Sequence, residues 1–545
     1  MEPNPDRGPA ELPRCAAEYI DQVVRQVRCR KRVRAEVHEE LRAHFEDDLR
    51  DCADAQQREA RARKLIEQFG DAKLLAALCR RAKKRCRPLW QKALVRSGQG
   101  ILVVLAYTVL CSLPLFLGRP TIRVNYVEWL NERWRPQDHQ AANAAVYYEQ
   151  AAGLYVKPPQ ELQQNVETAR PELEDYNDVE LGLLATWLDE NAPALAKLRQ
   201  GADTPDYWPI YDTNESSLRD PNFMDKLMDA LPKYRYLVVA LANEAAYEVH
   251  RGRLQDGLDD CLVIRRVGRH WQGRGLLIEQ LVGMAIEGLA CARMLDILHD
   301  QPDVPGPVLE RVQNGLRALQ DEHRCVVSFD GEKALWYDNI QRTFTDDGKG
   351  GGHALRQGFP FDAGDWRDNL LGVFAFDYPG RRETMAMVEQ FFERAQSLLK
   401  APPAEERPYL VSDEEEGIPF GNMRLSILPP AYGRIGQQVW RLKTGELATI
   451  TVVAVLRHAA ERGNLPESLD ELVQRGYLDA LPEDPFGAGP LSYRKTSDGF
   501  LLYSWGENLT DDGGVQGLRQ GGKPGLWADN GDWVFWPVTE AETKR

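Results

Sequence analysis

Residues 100–118 read GILVVLAYTVLCSLPLFLG, nineteen consecutive positions without a charged side chain. At 1.5 Å per residue such a helix reaches ~28 Å, close to the hydrocarbon thickness of a bilayer. Buried helices of that length in soluble domains usually carry several polar side chains, whereas only Thr108 and Ser112 are clearly polar here. The stretch is therefore expected to span a membrane. It does not fit a cleaved signal peptide, because about a hundred residues precede it. Pro114 falls near the far end, where a kink is tolerated.

Charge orients the span. Arg80, Arg81, Lys83, Lys84, Arg85, Arg87, Lys92 and Arg96 lie on its N-terminal side with no Asp or Glu among them. The far side mixes Arg119, Arg123, Arg133 and Arg135 with Glu128 and Glu132. Positive charge stays inside, so the N-terminus is expected in the cytoplasm and the C-terminus outside the inner membrane. The basic run Arg80–Arg96 also suits anionic lipid head groups.

A chain of 545 residues exceeds the ~100–200 residues of one domain, which predicts three or more units. A net charge of −15 argues against a nucleic-acid binder, which would present a basic face. Five of the nine cysteines precede the apolar stretch, Cys111 lies in it, and Cys261, Cys291 and Cys325 follow. No CxxC pair occurs, so the expected state is free thiols, with a Cys261–Cys291 bridge as the alternative.

Residues 1–14 are rich in proline and charge and are expected to be disordered. Over 15–85 the pattern is helical. Val37, Leu41, Phe45 and Leu49 form one stripe of a helix over Val33–Leu49, followed by helices over Gln57–Phe69 and Lys73–Lys84. The sequence YIDQVV, then EVHEELRAHFEDDL, then EARARKLIEQFGDAKLLAALC resembles the HAAS, or permease-prefix, domain. The positions that carry the resemblance are Glu36, Glu40, His44, Asp48 and Phe69-Gly70-Asp71. It implies a bacterial membrane protein with a helical interaction head. Glu40 and His44 beside Asp47 and Asp48 have metal-ligand character, but a solvated helix face with intrahelical pairs is the favoured reading.

From 119 to 435 the expectation is a helical body. Asn143–Tyr155 reads as one helix, and Leu181–Leu198 as two short ones divided at Pro193. Leu237, Leu241 and Ala245 mark a helix that ends at His250-Arg251-Gly252, and a second carries Leu258, Cys261 and Leu262. A third, Leu276–Leu298, is apolar on most faces yet holds Glu279, Glu287, Arg293 and Asp296, which suggests a buried central helix. Gly283, Ala285, Gly288 and Ala290 would let its neighbours approach closely. ALANEAAYEVHRGRLQDGLDDCLVIRRV resembles a single tetratricopeptide-type hairpin, without a periodic array. Thr345–His353 (TDDGKGGGH) lacks phosphate-loop order and reads as a flexible loop. Pro402–Gly417 reads as an acidic linker.

Over 436–537 a helix to Arg462 precedes GNLPESLDELVQRGYLDALPEDPFGAGPLSYRKTSDGFLLYSWGENLTDDGG. Asp484-Pro485-Phe486-Gly487 marks a turn, and Ser497-Asp498-Gly499 joins two strands. The order of these parts resembles the C-terminal half of type II secretion major pseudopilins. That resemblance implies a calcium site, carried here by Asn508, Asp511, Asp512, Asp529 and Asp532. A hard cation wants several oxygens on a bendable backbone, though Asp and Gly also favour turns with no ion. A pseudopilin's apolar segment is N-terminal and processed, so this chain is not expected to be processed or assembled like a pilin subunit.

The predicted architecture is mainly α with a small α+β C-terminal domain. A disordered 1–14 leads to a helical head (15–85), the basic 86–99, the span (100–118), the body (119–435), a pseudopilin-like antiparallel sheet domain (436–537) and a tail (538–545). No GxSxG, HExxH or Cys/His constellation is present, and His250 and His270 read as capping or surface residues. The expected function is a non-catalytic envelope scaffold or secretion-related interaction protein with protein partners on both sides of the membrane. The alternative is a transmembrane signalling regulator acting through its head. Nothing in the sequence specifies an oligomeric state.

Overall fold

A computed structural model describes residues 12–538, except 30, 86–88, 139–140, 167–172, 174–175, 213–217, 219–220, 302, 322–323, 356–378, 405–417, 421–422, 426–431 and 520. Most of the predicted disordered 1–14, most of the acidic linker and nearly all of the tail fall outside the described residues. The described chain is mainly helical with a small three-stranded antiparallel sheet near its C-terminus. It divides into two compact units, Met1–Leu110 and Cys111–Arg545.

The first unit holds α1 (Arg14–Gln26), α2 (Lys31–Asp48), α3 (Ala55–Phe69) and α4 (Ala72–Arg85). Val37, Leu41, Phe45 and Leu49, the apolar stripe that the spacing predicts, fill one core with Ile20, Val23 and Ala76 from the neighbouring helices. Asp54 caps α3 by accepting from the Gln57 N–H at 2.7 Å. Gly70, with φ 75°, turns the chain into α4, and its carbonyl accepts from the Tyr19 hydroxyl at 2.9 Å. Phe69 packs on Phe45 and His44. The Phe69-Gly70-Asp71 signature is thus the corner that closes the bundle.

A long helix, α5 (Leu89–Phe116), carries the apolar stretch. Ile101, Leu102, Val103, Leu105, Val109 and Leu110 are each more than half exposed, and no part of the window Ala93–Leu110 is buried. By length and composition this helix can cross a membrane.

The second unit continues with α6 (Tyr126–Arg133), α7 (Ala144–Leu154), α8 (Gln160–Val166) and α9 (Asp178–Ala202). The reading of two pieces divided at Pro193 was wrong, because α9 runs unbroken through the proline. Trp187, Leu188, Asn191, Ala194, Leu195 and Leu198 are buried on either side of it, and that burial outweighs the ~3 kcal/mol cost of an internal proline. Next come α10 (Pro221–His250), α11 (Leu254–His270) and α12 (Leu277–Asp300), each packed on the next. Gly252, at φ 77°, makes the tight α10–α11 corner.

Helices α13 (Gly306–Ala318), α14 (Asp330–Thr343) and α15 (Arg381–Leu398) follow, then a two-stranded hairpin of β1 (Ile418–Phe420) and β2 (Met423–Leu425). The 345–353 segment, read from its glycines as a flexible loop, is closed by its own hydrogen bonds. Thr345 N–H donates to the His353 carbonyl, Asp347 N–H to that of Gly351, and the buried Asp346 bonds Arg123 and Arg381 at 3.0 Å each. The chain just past α5 is held against it. His353 Nε2 lies 2.9 Å from the Leu117 carbonyl, and the Gln341 side chain bonds Arg123 N, Val124 N and Val124 O.

The last section holds α16 (Tyr432–Arg462), α17 (Leu469–Gln474), β3 (Ser492–Thr496), β4 (Gly499–Ser504) and β5 (Trp533–Trp536), in sheet order β3-β4-β5. It does not have a core to itself. Val452, Val455, Phe486, Leu502, Trp533 and Phe535 join Leu258, Leu262, Met294 and Leu298 in one cluster. The C-terminal section and the helical body therefore share an interior across residue 436.

Candidate functional site

The acidic glycine loop connects β4 to β5, and four of its five predicted ligands come together. Tyr503, on β4, donates to Asp511 Oδ1 at 2.9 Å. Asn508 donates to Asp512 Oδ2 at 2.8 Å. Asp532, one residue before β5 and fully buried, accepts from the Asp512 and Gly514 N–H groups at 3.2 and 2.6 Å. Asp529 is exposed and accepts none of the hydrogen bonds described for the loop. Burial, and then the charges of Asp512 and Asp511, push the Asp532 carboxyl up against the pull of its backbone donors. Leu509 holds φ 56° without being glycine, a strained setting for a branched side chain. Among the described residues, no three His, Cys, Asp or Glu side chains stand as a set that could hold a metal ion.

The Asp-Pro-Phe-Gly turn has a role that its sequence only hinted at. Asp484 is buried, and its Oδ1 accepts from the Phe486 N–H and the Ser504 hydroxyl while Oδ2 accepts from the Trp505 N–H. One carboxylate thus ties the turn to the end of β4, the point from which the acidic loop departs. Phe486 packs edge-on against Trp533 at 4.5 Å between ring centroids, which fixes the other end of the loop.

Beneath α16 lies a buried ionic network. Glu287 on α12 accepts from Arg265 Nε at 3.0 Å, Gln272 Nε2 at 2.7 Å and Arg324 Nη1 at 3.2 Å. Glu446 on α16 lies 3.0 Å from Arg324 and 3.2 Å from Arg265. Burial and the neighbouring Glu446 push Glu287 up. Burial works the same way on Glu446, but its hydrogen bond to Glu287 and the arginines hold it down. Of the charges flagged on the apolar α12, Glu287 is therefore paired, with partners on α11, in the turn after it and on the segment before α14.

Other predicted positions have structural partners. Glu40 takes Lys83 at 2.8 Å, and Asp48 faces Arg61 at 3.6 Å, so the helix face of the head is laced by ion pairs. Cys261 and Cys291 are free thiols, which burial pushes up to about 12 each. His250 ends α10 at the surface. His270 is not a surface residue, since its Nδ1 lies 2.6 Å from the Tyr148 hydroxyl and its ring stacks on Tyr207. Burial, with Arg274 and Arg266 nearby, lowers it to about 4 and keeps it neutral at pH 7.

Clefts lined by described residues open in the body. One, of about 270 Å³, is lined by Tyr155, Lys157, Trp187, Arg235 and Tyr236 among others. The second, of about 210 Å³, is walled by aromatic rings and includes Glu279. Scans against family models, curated proteins and solved structures returned no match for this chain.

Proposed function

We propose that this chain is a single-span bacterial envelope protein, with residues 15–85 as a cytoplasmic head and the second unit outside. It acts as a non-catalytic scaffold that presents its C-terminal section to a protein partner, in keeping with the pseudopilin resemblance. The observation that supports this most is the apolar band of α5, exposed along Ala93–Leu110 and preceded by the basic run. Monomeric soluble proteins rarely leave so large an apolar surface in water. A reporter phosphatase that folds only outside the cytoplasm tests the placement. Fused after residue 545 it is expected to be active, and the same fusion lacking residues 89–118 inactive. An inactive full-length fusion would overturn the outside placement, and activity that survives the deletion would overturn the span as its cause.

The acidic loop supplies the cation site of this proposal. Asp511, Asp512 and Asp532 do not stand as a metal-holding set as they are, so calcium, proposed here on the pseudopilin resemblance, would have to draw them together, relieving their mutual repulsion and fixing the loop for its partner. With calcium at ~100 times its dissociation constant, binding would add ~2.7 kcal/mol of stability. That corresponds to a rise of about 3 °C in melting temperature for a unit of this size. Full-length protein in detergent is to be melted in millimolar calcium and in chelator. An unmoved melting point removes the ion.

One observation favours the regulator reading. Leu74 and Leu78, one turn apart on α4, are 62% and 52% exposed. An apolar strip of that kind on the head suits a partner helix.

A further inference from the structure

A second candidate site lies in the body, far along the chain from the acidic loop, and its aromatic walls come from four separate pieces of sequence. Tyr148 stands on α7, Tyr207 and Tyr211 on the segment after α9, Tyr234 and Phe223 on α10, and Trp271 just past α11. Their rings support one another. Tyr234 meets Trp271 edge-on at 4.8 Å, Tyr207 lies parallel to Trp271 at 6.4 Å, and Tyr211 meets Phe223 edge-on at 5.4 Å. Ring faces in such a box carry negative quadrupole density, which attracts a desolvated cation.

The charge is equally one-sided. Glu149, Asp212 and Glu279 line the cavity, and no lysine or arginine lines it among the described residues. Glu279 is the buried member. Its Oε2 accepts from the Tyr211 hydroxyl at 2.5 Å and from the Leu276 N–H at 2.7 Å, in the first turn of α12. Both bonds fall on one oxygen, which leaves Oε1 for a ligand. Burial raises Glu279 to about 7, despite those two bonds. A cation in the cavity would therefore favour its ionised form. Arg274 donates to the Tyr207 carbonyl at 2.5 Å.

A further signal is an orphan. Trp271 is 97% buried, and its indole N–H has no hydrogen-bond partner. A buried donor left unpaired costs free energy, and an acceptor on a ligand would remove that cost. The cavity, at about 210 Å³, is smaller than the ~300–1,000 Å³ that drug-sized ligands occupy, so it suits a head group.

We infer that this cavity binds a small organic cation, a methylated ammonium group on a short stem bearing a hydroxyl or carbonyl oxygen. The rings and the Glu279 carboxylate hold the cation, and Trp271 donates to the oxygen. Nothing in this inference depends on the membrane placement or on calcium.

The test uses full-length protein in detergent and two probes of nearly equal shape. Choline carries the charge, and 3,3-dimethylbutan-1-ol replaces its nitrogen by carbon. Calorimetric titration is expected to show choline binding at least tenfold more tightly than the neutral alcohol. Glu279→Gln should weaken choline about tenfold and leave the alcohol unchanged, and Trp271→Phe should weaken both by a few fold. A melting curve establishes that each variant is folded. If a variant does not fold, the wild-type comparison of the two probes decides alone. Choline that fails to bind at 50 mM, the two probes binding equally, or a folded Glu279→Gln that keeps wild-type choline affinity would each overturn the inference.

Discussion

Glu287→Ala is expected to lower the melting temperature of the second unit by roughly 3–6 °C at pH 8. Glu287 is fully buried and accepts from Arg265, Gln272 and Arg324. Removing it leaves Arg265, Arg269 and Arg324 facing Glu446 alone. Breaking a buried ionic group on one side typically costs ~3–5 kcal/mol, because the remaining charge stays desolvated and uncompensated. For a unit spanning 111–545, the usual unfolding entropy per residue converts that cost into a shift of a few degrees. Arg265→Met offers the internal comparison. It removes one of three positive charges opposite two carboxylates, so the cluster becomes formally balanced and the loss should be smaller. A Glu287→Ala protein that melts within a degree of wild type, or less affected than Arg265→Met, would show that the network carries little stability.

The second large effect concerns the crossing of α11 and α12. Gly268 and Gly283 face each other there. A Cβ on Gly283 would lie 2.7 Å from the Gly268 carbonyl oxygen and 2.8 Å from the Trp271 Cβ, and one on Gly268 would lie 2.6 Å from the Glu287 nitrogen. Two of those three obstacles are backbone atoms, so the helices themselves must part. Gly283→Ala should therefore cost ~3 kcal/mol or more, at the upper end of overpacking. It should also disturb the aromatic cavity through Trp271. Gly288→Ala, five residues along the same helix, meets nothing within 4 Å and should gain up to ~1 kcal/mol of helix propensity. Opposite shifts in denaturation midpoint are the expected result. Equal shifts would refute the close approach.

These two glycines show how far the sequence could be read. Gly283, Ala285, Gly288 and Ala290 all looked like contact positions, because composition reports small residues but not the rotational setting of a helix. The packing of α11 selects Gly283 and leaves Gly288 in the open. The helices α2, α3, α7, α10 and α11 were legible because their apolar positions recur at spacings of three and four. Pro193 misled because local propensity says nothing about the buried side chains on both sides of it. The hairpin of β3 and β4 followed from its Ser-Asp-Gly turn.

Of the predicted cation ligands, Asn508, Asp511, Asp512 and Asp532 are joined by hydrogen bonds of one loop, whereas Asp529 is exposed and takes part in none of those bonds. The charges on α12 announced that something was buried with them, yet Arg324 and Glu446 lie 37 and 159 residues from Glu287 with no pattern to link them. The aromatic cavity was harder still. Its rings come from helices and from an irregular segment, and no periodicity joins Tyr148 to Trp271.

The clamp at 117–124 has a mechanical meaning once the apolar helix is placed in a bilayer. His353, Gln341 and Asp346 hold the first residues beyond that helix, so in the proposed placement the chain leaving the lipid would join the folded body within a few residues. A tethered domain would sweep a hemisphere of solvent, its effective concentration set by linker length. This body would instead act as a fixture of short reach. A partner would have to come to the membrane to meet it, and a pull on the body would pass into the lipid-embedded helix rather than be lost in a loose linker.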